Sequence, residues 1–142
     1  MADVGLVRKR VKTAMEQARR DQSERRTRAQ EAARGYETFL STAAIPAFRM
    51  VANVLTAEGV KFEAMTPSGG VLIVADRQRD DAIGLELDTG VDPPEPLVTI
   101  TRVRGSRSLR HERRIKGATP MQQLTEDDVI EMLLEELRPW LG

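Results

Sequence analysis

The sequence predicts an α+β fold: a long N-terminal helical segment, a five-stranded antiparallel β-meander and a C-terminal helix. Three observations carry this. Apolar residues recur at three- and four-residue steps over residues 4–18 and again over 36–55. From residue 60 the period falls to two, with short polar turns between the runs. After residue 125 the helical period returns. A length of 142 residues fits one folded body.

Residues 2–34 read as one helix. Val4, Val7, Val11, Ala14, Met15 and Ala18 make one face apolar. The following RRDQSERRTRAQE is polar all round, but its charges are ordered. Glu16 precedes Arg20, Asp21 precedes Arg25 and Glu24 precedes Arg28, each at i,i+4. Such pairs contribute about 0.2–0.5 kcal/mol each to an exposed helix. A helix of that length spans about 50 Å, and a body of this size has a radius near 13 Å. The segment 1–34 is therefore expected to act as an arm that projects or lies across another subunit, with residues 35–142 as the α+β body. Val4, Val7, Val11, Met15 and Ala18 are the candidate oligomer interface.

A second helix is expected over residues 36–58. Tyr36, Phe39, Leu40, Ala43, Ala44, Phe48, Val51, Val54 and Leu55 form its stripe. Gly35 is a weak point between the two helices, and Pro46 should kink or restart the second. Gly59 suits a C-terminal cap.

Five strands follow. Val60, Phe62 and Ala64 alternate with charged residues, and Pro67 to Gly70 is a turn. Val71 to Ala75 is continuously apolar, as in a strand covered on both faces. The 36–58 stripe is expected on one face and the C-terminal helix on the other. Ile83, Leu85 and Leu87 form the third strand. The prolines of TGVDPPEP argue against pairing there. Leu97 to Arg104 and Ser108 to Ile115 form the last hairpin. Thr125 opens the final helix, with Asp128 completing a capping box. Ile130, Leu133, Leu134, Leu137 and Leu141 are its expected buried stripe, and Pro139 its end.

Composition excludes several chemistries. There is no cysteine, so disulfides, thiolate catalysis and Cys-ligated metals are out. His111 is the single histidine, beside Glu112 in a strand, and reads as an ordinary surface or half-buried residue. Asp76, Asp80, Asp81, Glu86 and Asp88 supply oxygens, but at no EF-hand spacing. No nucleophile elbow or phosphate-binding glycine loop is present. The expectation is no enzyme, no cofactor and no metal. No apolar run approaches the roughly 20 residues of a membrane span, and no secretory signal is seen, so the expected location is cytoplasmic. Eighteen arginines against four lysines fit the GC-rich codons of a bacterial genome.

Charge is balanced overall but unevenly placed. Residues 1–34 hold ten basic and five acidic side chains, a net +5, and the rest holds −5. Residues 102–116 carry seven basic groups and one acid, a net +6. A three-residue loop at 105–107 would put Leu97, Val103, Leu109 and Ile115 on one face. It would put Arg102, Arg104, Arg110 and Arg114 on the other, with Arg102 opposite Arg110. Like charges directly opposite repel, so an acidic partner is expected. Residues 126–136 carry six acids and no base, which favours the C-terminal helix as that partner. Nucleic acid is the second choice, since no aromatic stands ready to stack on bases. The functional expectation is a non-enzymatic interaction protein, a homo-oligomer and most simply a dimer, with a protein client. The alternatives are nucleic-acid binding through the arm and arginine hairpin, and a small-ligand or enzymatic domain.

Overall fold

A computed structural model describes residues 3–142. Its elements run α1 (Val4–Phe39), a π-helical turn (Leu40–Ala44), α2 (Ile45–Ala57), β1 (Phe62–Met65), β2 (Gly70–Ala75), β3 (Ala82–Asp88), β4 (Glu95–Arg104), β5 (Arg107–Arg113), a 3-10 turn (Met121–Gln123) and α3 (Glu126–Leu141). The strands form one antiparallel sheet in the order β1-β2-β3-β4-β5. The α+β arrangement expected from the sequence is present.

The expected break at Gly35 is absent. The helix is continuous from Val4 to Ala57, 54 residues, or about 80 Å. Gly35 abuts Met121, whose Cε would lie 3.2 Å from an added Cβ. Ala32, Tyr36 and Phe39 are buried on the same side. Their burial outweighs the roughly 1 kcal/mol that glycine costs a helix. Pro46 produces a π-turn in place of a break. The Ile45 N–H donates to the Leu40 carbonyl five residues back. The Thr42 hydroxyl donates to the Thr38 carbonyl at 2.7 Å. A one-residue bulge of this kind accommodates a proline ring without ending the helix.

The two helical stripes share one face of the sheet, contrary to the expectation of one on each. Phe48, Val51, Ala52 and Leu55 of α2 form one buried cluster with Val129, Met132, Leu133 and Leu137 of α3, and with Val71, Ile73, Ile83, Leu85, Val98 and Ile100. By register these strand residues lie on one side of the sheet. Leu72, Val74, Gly84 and Thr99 lie on the other, which no helix covers. Val74 is nevertheless buried and Leu72 half-buried. So a strand that is apolar on both sides records sheet neighbours as well as helices. Val54 is exposed, outside the packed stripe.

The register of the last hairpin differs by one residue from the expected one. Gly105 has φ +60° and begins a two-residue turn with Ser106, so Arg104 pairs with Arg107. A glycine with positive φ at the first turn position matches strand twist in a tight hairpin. Arg102 therefore pairs with Leu109 and not Arg110, while Arg110 faces Thr101. A slip of one moves every side chain to the other face. Arg102, Arg104, Leu109, His111 and Arg113 lie on the helix-covered side, and Arg110 lies on the open side.

Two prolines are accommodated where exclusion was expected. Pro96 pairs with Leu87 inside β4. It lies beyond the stretch that β5 pairs, so on that side the ladder asks it for no donor. Pro139 sits inside the last turn of α3, which continues to Leu141. The capping box of Thr125 and Asp128 is formed. The buried side of α3 is Val129, Met132, Leu133 and Leu137, while Leu134 and Leu141 are exposed. The stripe is turned from the expected one because α2 flanks α3.

Candidate functional site

Residues 4–24 of the helix stand clear of the body. Among the described residues, burial in α1 begins at Ala32. Its side-chain contacts with the body begin at Arg25 and Arg28. Arg28 donates to both oxygens of Asp92, Nε at 3.0 Å and Nη2 at 2.8 Å. Arg25 Nε lies 3.6 Å from the same carboxylate. The hydrogen bond to Arg28 holds Asp92 below the usual carboxylate range and raises Arg28 in return. Tyr36 fixes the next turn, its hydroxyl donating to the Gly69 carbonyl at 2.9 Å. Burial, with a smaller effect of Glu86, pushes that phenol up to about 12.

Beyond this root the arm exposes its apolar face. Val4 is 73% exposed, Val7 44%, Val11 51% and Met15 50%. Ala18, the last candidate, is exposed as well. Val4, Val7, Val11 and Ala18 lie on one ladder of alternating three- and four-residue steps, with Met15 beside it: Val4, Val7, Val11, Ala14, Ala18, Asp21, Arg25, Arg28, Ala32, Gly35 and Phe39. Its second half is the side that meets the body. The free stripe is thus the body-facing side of α1 carried past the body's edge.

The four candidate arginines do not form one patch. Arg102 lies over the Trp140 ring, 5.7 Å from its centroid, a cation–π arrangement. Arg104 opposes Arg107 at the hairpin tip, both exposed. Arg110 pairs with Glu112 on its own strand at 3.3 Å. Arg114 pairs with Asp88 at 3.1 Å and Glu95 at 3.4 Å. The Gly90 backbone N–H, followed by Arg114, keeps Asp88 below its ordinary range.

The residue the sequence reading passed over is Arg113. Its Nη1 donates to Glu135 at 2.8 Å and Glu136 at 3.2 Å, and its other nitrogens donate to the carbonyls of Arg114 and Ile115. Burial pulls its pKa down, but the two glutamates outweigh that and raise it. His111 Nε2 lies 3.1 Å from Glu136. Lys116 lies 3.2 Å from Asp128. The acidic run of α3 therefore meets the basic hairpin within the chain. The six-acid run signalled this pairing, but a one-residue shift in register selected Arg113.

The acidic turn after β2 has structural bonds. Asp81 accepts from the Val103 N–H at 2.7 Å and from Trp140 Nε1 at 3.0 Å. Trp140 also packs edge-on to Phe62 at 5.9 Å. Among the described residues no group of three or more His, Cys, Asp or Glu is placed to hold a metal ion. The open sheet face bears a groove of about 540 Å³ between Pro67–Leu72 and Gly84–Leu87, with Thr99 and Arg110. The Thr99 hydroxyl there is buried without a hydrogen-bond partner.

One window of the long helix reaches a mean hydropathy of 1.3, with 44% of it buried inside the fold. A core helix passes that test as readily as a membrane span. Comparison with protein-family models, curated proteins and solved structures finds no match to this chain.

Proposed function

We propose that this chain is a non-enzymatic interaction module that self-associates through the α1 arm, most simply as a dimer, and serves a protein partner. The observation that carries the reading is the exposed apolar stripe of Val4, Val7, Val11 and Met15 on a helix standing about 30 Å clear of its body. Helices gain most of their stability from packing an amphipathic face, and this one packs on nothing in its own chain. The ion pairs of Arg113, Arg114 and Lys116 support a structural use of much of the basic hairpin.

Light scattering tests the proposal. A dimer is expected at micromolar concentration, and Val7→Asp with Val11→Asp should give a folded monomer. A monomer of the unaltered chain at high micromolar concentration overturns it.

Nucleic-acid binding remains the second reading, favoured by the exposed Arg104–Arg107 pair at the hairpin tip. Micromolar affinity for DNA or RNA that survives near-physiological salt, and disappears in Arg104→Ala with Arg107→Ala, would make it the better one. Counterion release makes phosphate-driven binding fall steeply with salt.

A further inference from the structure

We infer that two copies join with their arms antiparallel, Val7 of one level with Ala18 of the other, so that the bodies sit at opposite ends of the pair. The inference rests on the self-association proposed above and specifies its geometry.

The ladder of α1 is the basis. Its stripe at Val4 to Ala18 and its body-facing residues Arg25, Arg28, Ala32 and Phe39 lie on one side of one helix. If two arms pack through their stripes in parallel, both bodies must occupy the space between the two helices. Packed helices are only about 8–10 Å apart, and the bodies would interpenetrate. In the antiparallel arrangement each body lies beyond the other arm's N-terminus, and the conflict is gone.

Charge gives the same orientation. Arg8, Lys9, Arg10 and Lys12 follow one another with no acid between them. A parallel pair sets the two clusters at one level. An antiparallel pair sets each beside residues 13–17 of its partner, where Glu16 is the only charge. Opposite charges flanking an apolar seam set helix orientation in coiled coils.

The body sets the register. Antiparallel seams place the two ladder classes level with each other: Val4, Val11 and Ala18 against Val7, Ala14 and Asp21. With Val11 level with Ala14, Val7 meets Ala18, so Val7, Val11, Ala14 and Ala18 meet one another across the seam, and Val4 falls level with Asp21. A slide of one heptad outward leaves Ala18 unpaired. A slide inward puts Val7 level with Arg25, which lies against Asp92, and the partner strikes the body.

The chain has no cysteine among its own residues, so single cysteines report geometry without interference. Two Val7 positions would be about 16 Å apart along the axis of the antiparallel pair, beyond the roughly 7 Å limit for a disulfide. Val7→Cys and Ala18→Cys would be purified separately, one carrying a size tag, then oxidised alone and as a mixture. The expected result is a disulfide-linked mixed dimer, with little linkage of either variant to itself, while light scattering shows all samples dimeric. Efficient self-linkage of Val7→Cys overturns the orientation and shows a parallel pair. Dimers without linkage in any sample overturn the arm contact. A monomeric unaltered chain overturns the underlying self-association.

Discussion

At the scale of single residues, Tyr36 and Asp81 join elements far apart in the chain. Tyr36 is the only tyrosine, so its ionisation can be followed by phenolate absorbance. In the folded protein it should titrate near 12 instead of near 10. The native state then holds the phenolic proton more tightly than the unfolded chain. Its contribution to stability is full below about pH 10 and is lost as pH rises to about 12. A midpoint near 10 in the folded protein would show the phenol exposed. Tyr36→Phe removes the bond to Gly69 and should cost about 0.5–1.5 kcal/mol by denaturant unfolding. Asp81→Ala orphans the Val103 N–H and the Trp140 indole together. A loss of about 1–3 kcal/mol is expected, with a shift in the emission of the lone tryptophan. Unchanged emission would mean that Asp81 does not position that ring. The sequence showed Asp81 only as one acid in a turn. Its partners are 22 and 59 residues away, and no local signal points to them.

At the scale of elements, α3 decides how much of the sheet is dry. Leu137 is fully buried between α2 and the strands. Leu137→Ala should cost about 2–5 kcal/mol, the range for emptying a leucine site in a core, read from urea unfolding. Leu134→Ala, on the exposed side of the same helix, should change stability by no more than about 0.5 kcal/mol. Equal losses would mean that α3 is rotated from the orientation described. Leu134 and Leu137 fit a helical apolar stripe equally well. Which of them is covered depends on α2, a neighbour that periodicity along α3 cannot reveal. The two hairpin registers, likewise, differ by one residue in loop length, and the observed one puts Arg102 and Arg104 on the face opposite Arg110. The φ of Gly105 selects between them, and many loop lengths tolerate a glycine.

At the scale of the whole molecule, the arm and the body separate near residue 24. Removing residues 1–24 takes away no buried side chain among the described residues and should leave a cooperative thermal transition. Removing residues 1–34 also takes Ala32 and the Arg28–Asp92 pair, and should lower the melting midpoint further. Loss of cooperativity in the shorter deletion would show that the free arm belongs to the core. Heavier reliance on residues 25–34 than on 1–24 is the signature of a helix rooted at its middle.

By itself the sequence determined the α+β class, the strand number, the capping box of α3, and a helix too long for its own body. These follow from local periodicity, turn residues and length, which act over a few neighbouring positions. Only the tertiary structure decided that both helical stripes share one sheet face, that Gly35 continues a helix, and that Arg113 rather than Arg102 or Arg110 meets the acids of α3. Each of these is a choice between local alternatives of nearly equal energy. Burial against distant residues, worth several kcal/mol, settles such choices.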